Sequence, residues 1–398
     1  MGLSPNTVFG DRPLIAYGFF IMMNYFLAIA VLIGAIIGVG IFTLPFIFHQ
    51  SGIILLPIYM IILGIIQYYL HLLFAEVVLS TNGRHRMPGY VEKYSGKKAK
   101  YITLIMAMLS DYGVIIAYII VGGLFLHQLL NPLFGGGVFL YTTILFAIEA
   151  LIVFSGLKLV AGFEFIATFF MIVVIGMIAW KGQSFFSLAN FNIIQWNNVF
   201  MPYGPVFFSV SGMSAIPMIC KLLNKNKEKI KSAIFWGTFL PIIIMSIFII
   251  VAIGISGNNI AQDALTGFSA VFKNGVIFLT LIFGLLAIST SFLTTCEALK
   301  EVFLWDFKIN KTIAWFLACI APFLLYLLGL NNLVKIISLT GAFCGGAFGI
   351  ILLWLVFKVK KKCDKKSIVN NKINKPIFYF LSVLFILGLI YELLVIFK

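Results

Sequence analysis

Charge is scarce in this chain. Only 10% of its 398 residues are Asp, Glu, Lys or Arg, against about a quarter in an ordinary soluble domain. Hydrophobic residues make up 62% and the mean hydropathy is +1.10, so the composition excludes a water-soluble globular domain and leaves a polytopic membrane protein. Histidine is rarer still, with four copies, and the five cysteines (Cys220, Cys296, Cys319, Cys344 and Cys363) form no CxxC pair and have no His at ligand spacing. Neither a disulfide framework nor a zinc site is expected from them, and they read as packing residues. HExxH, GxSxG, P-loop and DxxD signatures are missing, and the polar loops are too short to house a catalytic domain. That pattern argues against an enzyme. The opening MGLSPNTVFGDRP runs into apolar sequence without a small-residue cleavage site, so no secretory leader is expected.

What fills the chain is long apolar runs. Reading for spans of roughly 20 apolar residues gives eleven. The first six are Tyr25 to Gln50, Ile53 to Leu79, Tyr101 to Leu130, Val138 to Phe154, Val160 to Trp180 and Met201 to Leu222. The remainder are Ala233 to Ser256, Val276 to Phe303, Ile313 to Leu330, Leu333 to Phe357 and Pro376 to Phe397. The expected organisation is an N-terminal segment with the start of helix one (1–23), a first five-helix repeat (24–182) and a second (183–357). A basic loop (358–375) and an eleventh helix (376–398) follow. The fold class is thus all-α, with five helices repeated upside down plus one.

The net charge of +15 is not the footprint of nucleic acid. All but four of the 28 Lys and Arg fall on alternate loops, in clusters such as Arg84 to Lys100, Lys221 to Lys231 and Lys358 to Lys375; Lys181, Lys273, Lys335 and Lys398 lie opposite. The positive-inside rule then places the N-terminus in the cytoplasm and, after an odd number of crossings, the C-terminus outside. The clusters set topology in a cell membrane and touch anionic lipid.

Two runs are interrupted in the middle. Gly34, Gly38 and Gly40 break LIGAIIGVGIFTLP in the first span, and Gly212 and Pro217 break FFSVSGMSAIP in the sixth. Hydrocarbon cannot satisfy freed peptide groups, so a broken helix at mid-membrane must face protein, water or a ligand. Two such breaks at matching places in two halves point to a secondary transporter's binding site. The competing reading of Gly34 and Gly38, four apart, is close helix packing of the GxxxG kind.

A zwitterionic amino acid fits such a break. The start of the second half-helix offers the amides of Val39, Gly40 and Ile41 to a carboxylate, and the end of the first offers carbonyls of Gly34, Ala35 and Ile36 to an ammonium. Ser209 and Ser211 add acceptors from the sixth span, and Gly212 leaves room beside them. Titratable groups inside the spans are functional hypotheses by default: Glu76, Asp111, Glu149, Glu164, Glu297 and Glu392. Asp111, Glu149 and Glu164 are the deep ones, whereas Glu76 and Glu297 lie near basic ends. Lys158 reads as an interfacial anchor, and His49, His71 and His127 as structural residues.

GAIIGVGIFTLPFIFHQSG, IQYYLHLLFAEVVLSTNGRHRMPGYVEKYSG, FFSVSGMSAIPMI and SFLTTCEALKEV resemble the amino acid/auxin permease branch of the amino acid-polyamine-organocation transporters, in particular its bacterial aromatic amino acid permeases. The resemblance covers almost the whole chain from about Asn24 and implies the LeuT fold, with substrate between unwound parts of helices one and six. It further implies that Phe208 closes over the ligand and that Tyr118, with Tyr112 as the alternative, reaches the substrate carboxylate. Ala287, Thr290 and Ser291 match a sodium-site pattern that pairs with carbonyls of Gly34 and Ile37, so Na⁺ is the expected coupling ion and H⁺ the alternative. Hydroxyls in membrane helices also bond back to carbonyls of their own helix, which is the plainer reading of Thr290 and Ser291. The expected function is cation-coupled symport of neutral or aromatic amino acids, with no cofactor and no nucleic-acid partner. A LeuT-fold sensor without net transport, or an exchanger or exporter, is the alternative; the oligomeric state is left open.

Overall fold

The computed structural model describes residues 14–156, 160–224, 226–268, 275–362 and 375–396. Arg12, Lys158, Lys273, Lys398 and the 363–374 part of the basic loop with Cys363 lie outside the described residues, as do the side chains of Glu164 and Cys344. Among the described residues every regular element is a helix.

The first apolar run folds as α1 (Leu14–Ile36) and α2 (Gly40–Ser51), whose axes meet at 52°. Its start is earlier than the expected Tyr25, because the apolar sequence from Leu14 is already helical. At the bend the Gly38 amide donates to the Ile36 carbonyl at 3.0 Å instead of reaching back to Gly34, so the Gly34 carbonyl loses its helical donor. Next come α3 (Leu55–Ser80) and α4 (Met87–Ser95), the latter opened by Pro88, whose fixed φ suits a first turn. Then α5 (Lys97–Phe134) runs for 38 residues, well beyond the roughly 20 that cross a bilayer. The first half closes with α6 (Val138–Ser155) and α7 (Val160–Gly182).

The sixth run is broken as expected. It gives α8 (Tyr203–Ser209), a non-helical link at 210–212, one 3₁₀ turn (Met213–Ala215) and α9 (Ile216–Leu222), which Pro217 opens. Thereafter come α10 (Lys227–Ser256), α11 (Leu265–Phe268), α12 (Gly275–Glu301), α13 (Lys311–Trp315), α14 (Ala321–Leu327), α15 (Leu333–Leu339), α16 (Gly346–Lys362) and α17 (Lys375–Ile396). The ninth and tenth runs, expected as continuous helices, each contain a wide π turn, Phe316–Ile320 and Thr340–Gly345, and a third (Val302–Asp306) ends α12. Among the described residues seven helical stretches are long and apolar enough to span a membrane, Tyr203–Leu222 being counted across its break, and the bent α1–α2 pair makes eight. Three shorter apolar stretches, Phe170–Gly182, Lys311–Leu327 and Pro376–Glu392, stand at the fifth, ninth and eleventh expected spans.

The two broken spans lie side by side. α1 packs on α9 and α10, and α2 packs on α8, so each half-helix is supported by the opposite half of the chain. Small residues make this possible: a Cβ at Gly212 would stand 2.6 Å from Leu32 Cδ1, and one at Gly237 only 2.8 Å from the same leucine's Cβ. α5 forms the central post, against α6, α12, α15 and the Thr340–Gly345 turn.

Candidate functional site

A cavity of about 190 Å³ lies where the two breaks meet α5. Ala35, Ile36 and Gly38 bring the end of α1 and its bend to the wall, and Phe208 and Ser211 bring the second break. Phe74, Phe207 and Phe348 add aromatic surface, while Asp111, Val114 and Tyr118 come from one face of α5. Thr340, Gly341 and Gly345 also line it, so the π turn of the tenth run shapes the wall. No sequence signal marks that turn; a string of small residues is its only trace.

Tyr118 covers the first break. A Cβ at Gly38 would approach its Oη to 2.7 Å, so only glycine leaves the hydroxyl room beside exposed main chain. The same hydroxyl lies on the side of α5 that faces Ser291 and Thr295 of α12. Tyr112, the sequence alternative, donates to the Leu317 carbonyl at 2.8 Å and is thereby held away from the cavity.

The second break is held by α3, through residues the sequence did not single out for binding. The Gly212 amide donates to His71 Nε2 at 3.0 Å, and Gln67 Nε2 reaches the Phe207 carbonyl at 3.5 Å. Gln67 and His71 are both fully buried and four residues apart, hence on one face. A polar pair at that spacing inside an apolar helix was the available signal.

Not every expected ligand faces the cavity. Gly34, Val39, Gly40, Ser209 and Gly212 surround the breaks but are not on its wall. Ser209 donates to the Pro205 carbonyl at 2.7 Å, and its side chain packs where a Cβ on Gly40 would sit, so the two lock α8 to α2. Of the expected sodium set, Ile37, Ala287, Thr290 and Ser291 are likewise off the wall. Thr290 donates to the Ala287 carbonyl at 3.0 Å, the plainer pattern for such hydroxyls, while Ser291 turns toward Tyr118.

The acidic residues separate by setting. Glu297 pairs with Lys300, which also donates to the Val153 carbonyl at 2.9 Å, and Glu76 is buried near the basic end of α3. Glu392 is buried in α17 beside Gly204. Glu149 is buried in α6 with Oε1 unpartnered. Asp111 alone among them lines the cavity. His49 and His127 take no part, His127 packing edge-on against Tyr141 at 5.6 Å.

Beyond the bend, off the cavity wall, α2 and α5 are joined by a cluster of phenylalanines. Phe42 meets Phe125 edge-to-face at 5.2 Å and Phe248 at 6.2 Å, and Phe248 meets Phe268 of α11 at 6.3 Å. The cavity wall extends from the bend to Arg86, Met87 and Pro88 at the basic end. There the Arg86 guanidinium donates to Glu301 at 2.5 Å and 2.9 Å and to the Ser214 carbonyl at 3.0 Å, tying the α3–α4 link to α12 and to the start of α9. Asp306 completes the latch by accepting from the Gly89 amide at 2.9 Å.

Paired broken helices side by side around a central cavity define a LeuT-fold secondary transporter, an integral membrane protein. Solved structures share this fold: MhsT in complex with L-phenylalanine (16% identity, 92% of this chain and 97% of that one, TM-score 0.64) and Mhp1, a nucleobase-cation-symport-1 family transporter (14%, 93% and 90%, TM-score 0.69). A manganese transporter of Eremococcus coleocola aligns similarly (11% identity, 98% and 88%, TM-score 0.65). The chain belongs to the tryptophan/tyrosine permease family, whose profile matches residues 22–392. It is also similar to glutamine transporter 2 of Aliivibrio fischeri, at 24% identity over 349 residues, covering 83% of this chain and 88% of that protein. It is therefore a secondary amino-acid transporter, and its relatives are transporters rather than enzymes.

Proposed function

We propose that the protein is a cation-coupled symporter of neutral, bulky or aromatic amino acids, of the amino acid/auxin permease branch, working by alternating access in the cell membrane. The observation that carries this reading is the cavity at the bend, where Tyr118 stands over Gly38 and Phe208 and Phe348 offer flat apolar walls. The substrate's charged ends meet peptide dipoles at Ala35 to Gly38 and the Tyr118 hydroxyl, since an unpaired charge would be costly at that depth. The side chain lies along the phenylalanines. On this reading the basic end is cytoplasmic, the N-terminus inside and the C-terminus outside, so the Phe42–Phe125 contact lies on the outer side of the bend.

Na⁺ is the proposed coupling ion, with H⁺ as the competing one. Gly34, Ile37, Ala287, Thr290 and Ser291 would hold it; the Thr290 bond to Ala287 turns the hydroxyl proton away and leaves oxygen lone pairs for a cation. Here α1 packs chiefly on α7 and α10, so the set assembles as α1 closes on α12. Uptake of labelled tryptophan, tyrosine and glutamine into proteoliposomes tests the whole reading. Accumulation above the outside concentration under an inward Na⁺ gradient supports it; accumulation under a pH gradient alone replaces Na⁺ by H⁺, and binding without accumulation identifies a sensor.

A further inference from the structure

Gripping an amino acid by its charged ends leaves one cavity residue without a task. Asp111 lines the cavity on the same α5 face as Val114 and Tyr118. Seven residues separate it from Tyr118, which places it about 10 Å further along the helix axis, toward the basic end. Among the described residues no donor hydrogen-bonds to its carboxylate. The nearby Arg86 guanidinium is committed to Glu301 and Ser214.

Asp111 is partly exposed to the cavity and no protein donor meets its carboxylate, so a ligand that displaces water there must bring a donor of its own or leave the carboxyl unpaired. Between the bend and Asp111 lie Val114 and Phe208, walls suited to a flat ring. A substrate fixed at Gly38 by its charged ends would lay its ring there and end at Asp111.

Resting on the transport function proposed above, we propose that Asp111 is a specificity-determining residue that accepts a hydrogen bond from an N–H or O–H at the far end of the substrate side chain. Indole, phenol and carboxamide side chains satisfy it. Phenylalanine and leucine leave it unpaired, and a site built for a hydroxyl or N–H rejects analogues that lack one more strongly than an apolar pocket rejects a missing methylene.

The test is competition binding on the full-length protein with two matched pairs: L-tyrosine against L-4-methylphenylalanine, and L-tryptophan against its benzothiophene analogue. The wild type is expected to favour the donor-bearing member by about tenfold or more. Asp111→Asn, which keeps an acceptor oxygen, retains the preference; Asp111→Leu abolishes it while binding of the analogues is kept. Wild-type ratios near unity overturn the proposal whether or not a variant folds, and so does an Asp111→Leu protein that keeps the preference or loses both members equally. If no amino acid binds the wild type, the transport reading fails along with it; binding without preference sinks only the role of Asp111.

Discussion

His71 holds the backbone of Gly212. A peptide N–H can only donate, so the 3.0 Å contact makes Nε2 the acceptor and puts the ring proton on Nδ1, which donates to Thr238 Oγ1 at 3.1 Å. One neutral imidazole thus joins α3, α10 and the second break. His71→Ala leaves two buried groups unpaired and is expected to destabilise the protein by about 2 kcal/mol or more. Thr238→Val loses only the orienting partner and costs about half as much. Thermal unfolding in detergent ranks the two, and equal melting temperatures would contradict the arrangement.

Gly38→Ala sets a methyl against the Tyr118 hydroxyl, 2.7 Å from it before relaxation. The ring must move from the very place where substrate is gripped. Affinity is expected to fall by tenfold or more, about 1.4 kcal/mol, while the melting temperature changes little. Isothermal titration with the tightest-binding amino acid measures it.

Arg86→Ala removes the latch. The Arg86–Glu301 pair is partly exposed, so its loss costs about 1 kcal/mol or less of stability. Its larger effect falls on access. In a background with the native cysteines replaced, Ser211→Cys is expected to react several-fold faster with an impermeant thiol reagent supplied from the basic side once Arg86 is removed. An unchanged rate would show that the latch does not control entry.

Asp263 gives a pH dependence. It sits outside the spans in the α10–α11 connection, accepts from the Thr266 amide at 3.2 Å and from the Thr266 hydroxyl, and Gln128 of α5 donates to that hydroxyl at 2.6 Å. Burial pushes its carboxyl above the ordinary value of 3.8, with the Thr266 hydrogen bonds pulling the other way. The folded protein therefore binds this proton more tightly than the unfolded chain. The resulting stability is complete below 3.8 and is lost as pH rises through the raised value. Asp263→Asn is expected to flatten the fall in melting temperature on going from about pH 4 to about pH 7. Parallel curves for the two proteins would refute it.

Both breaks were legible because glycine, serine and proline are poor helix formers and stand out in apolar sequence. Direction was not. Ser209 and Thr290 carry the right chemistry, yet each hydroxyl finds a carbonyl of its own helix, a competition invisible in spacing. His71 read as merely structural and Gln67 was passed over, because the sequence cannot say that their face of α3 meets α8 and α9. The π turn at Thr340–Gly345 was missed because a string of small residues does not reveal an added residue in the turn. Asp111 was legible as a deep charge, and only the fold places it on the wall of a cavity.

The crosswise pairing of α1 with α9 and α2 with α8 means that neither repeat packs as a unit of its own, both bends being stitched from the two halves of the polypeptide. Bulk added at Gly212 is felt by Leu32 in the other repeat. Compensating substitutions should accordingly arise in partners from opposite repeats, and a protein assembled by swapping one repeat for a relative's would carry mismatched seams at both bends.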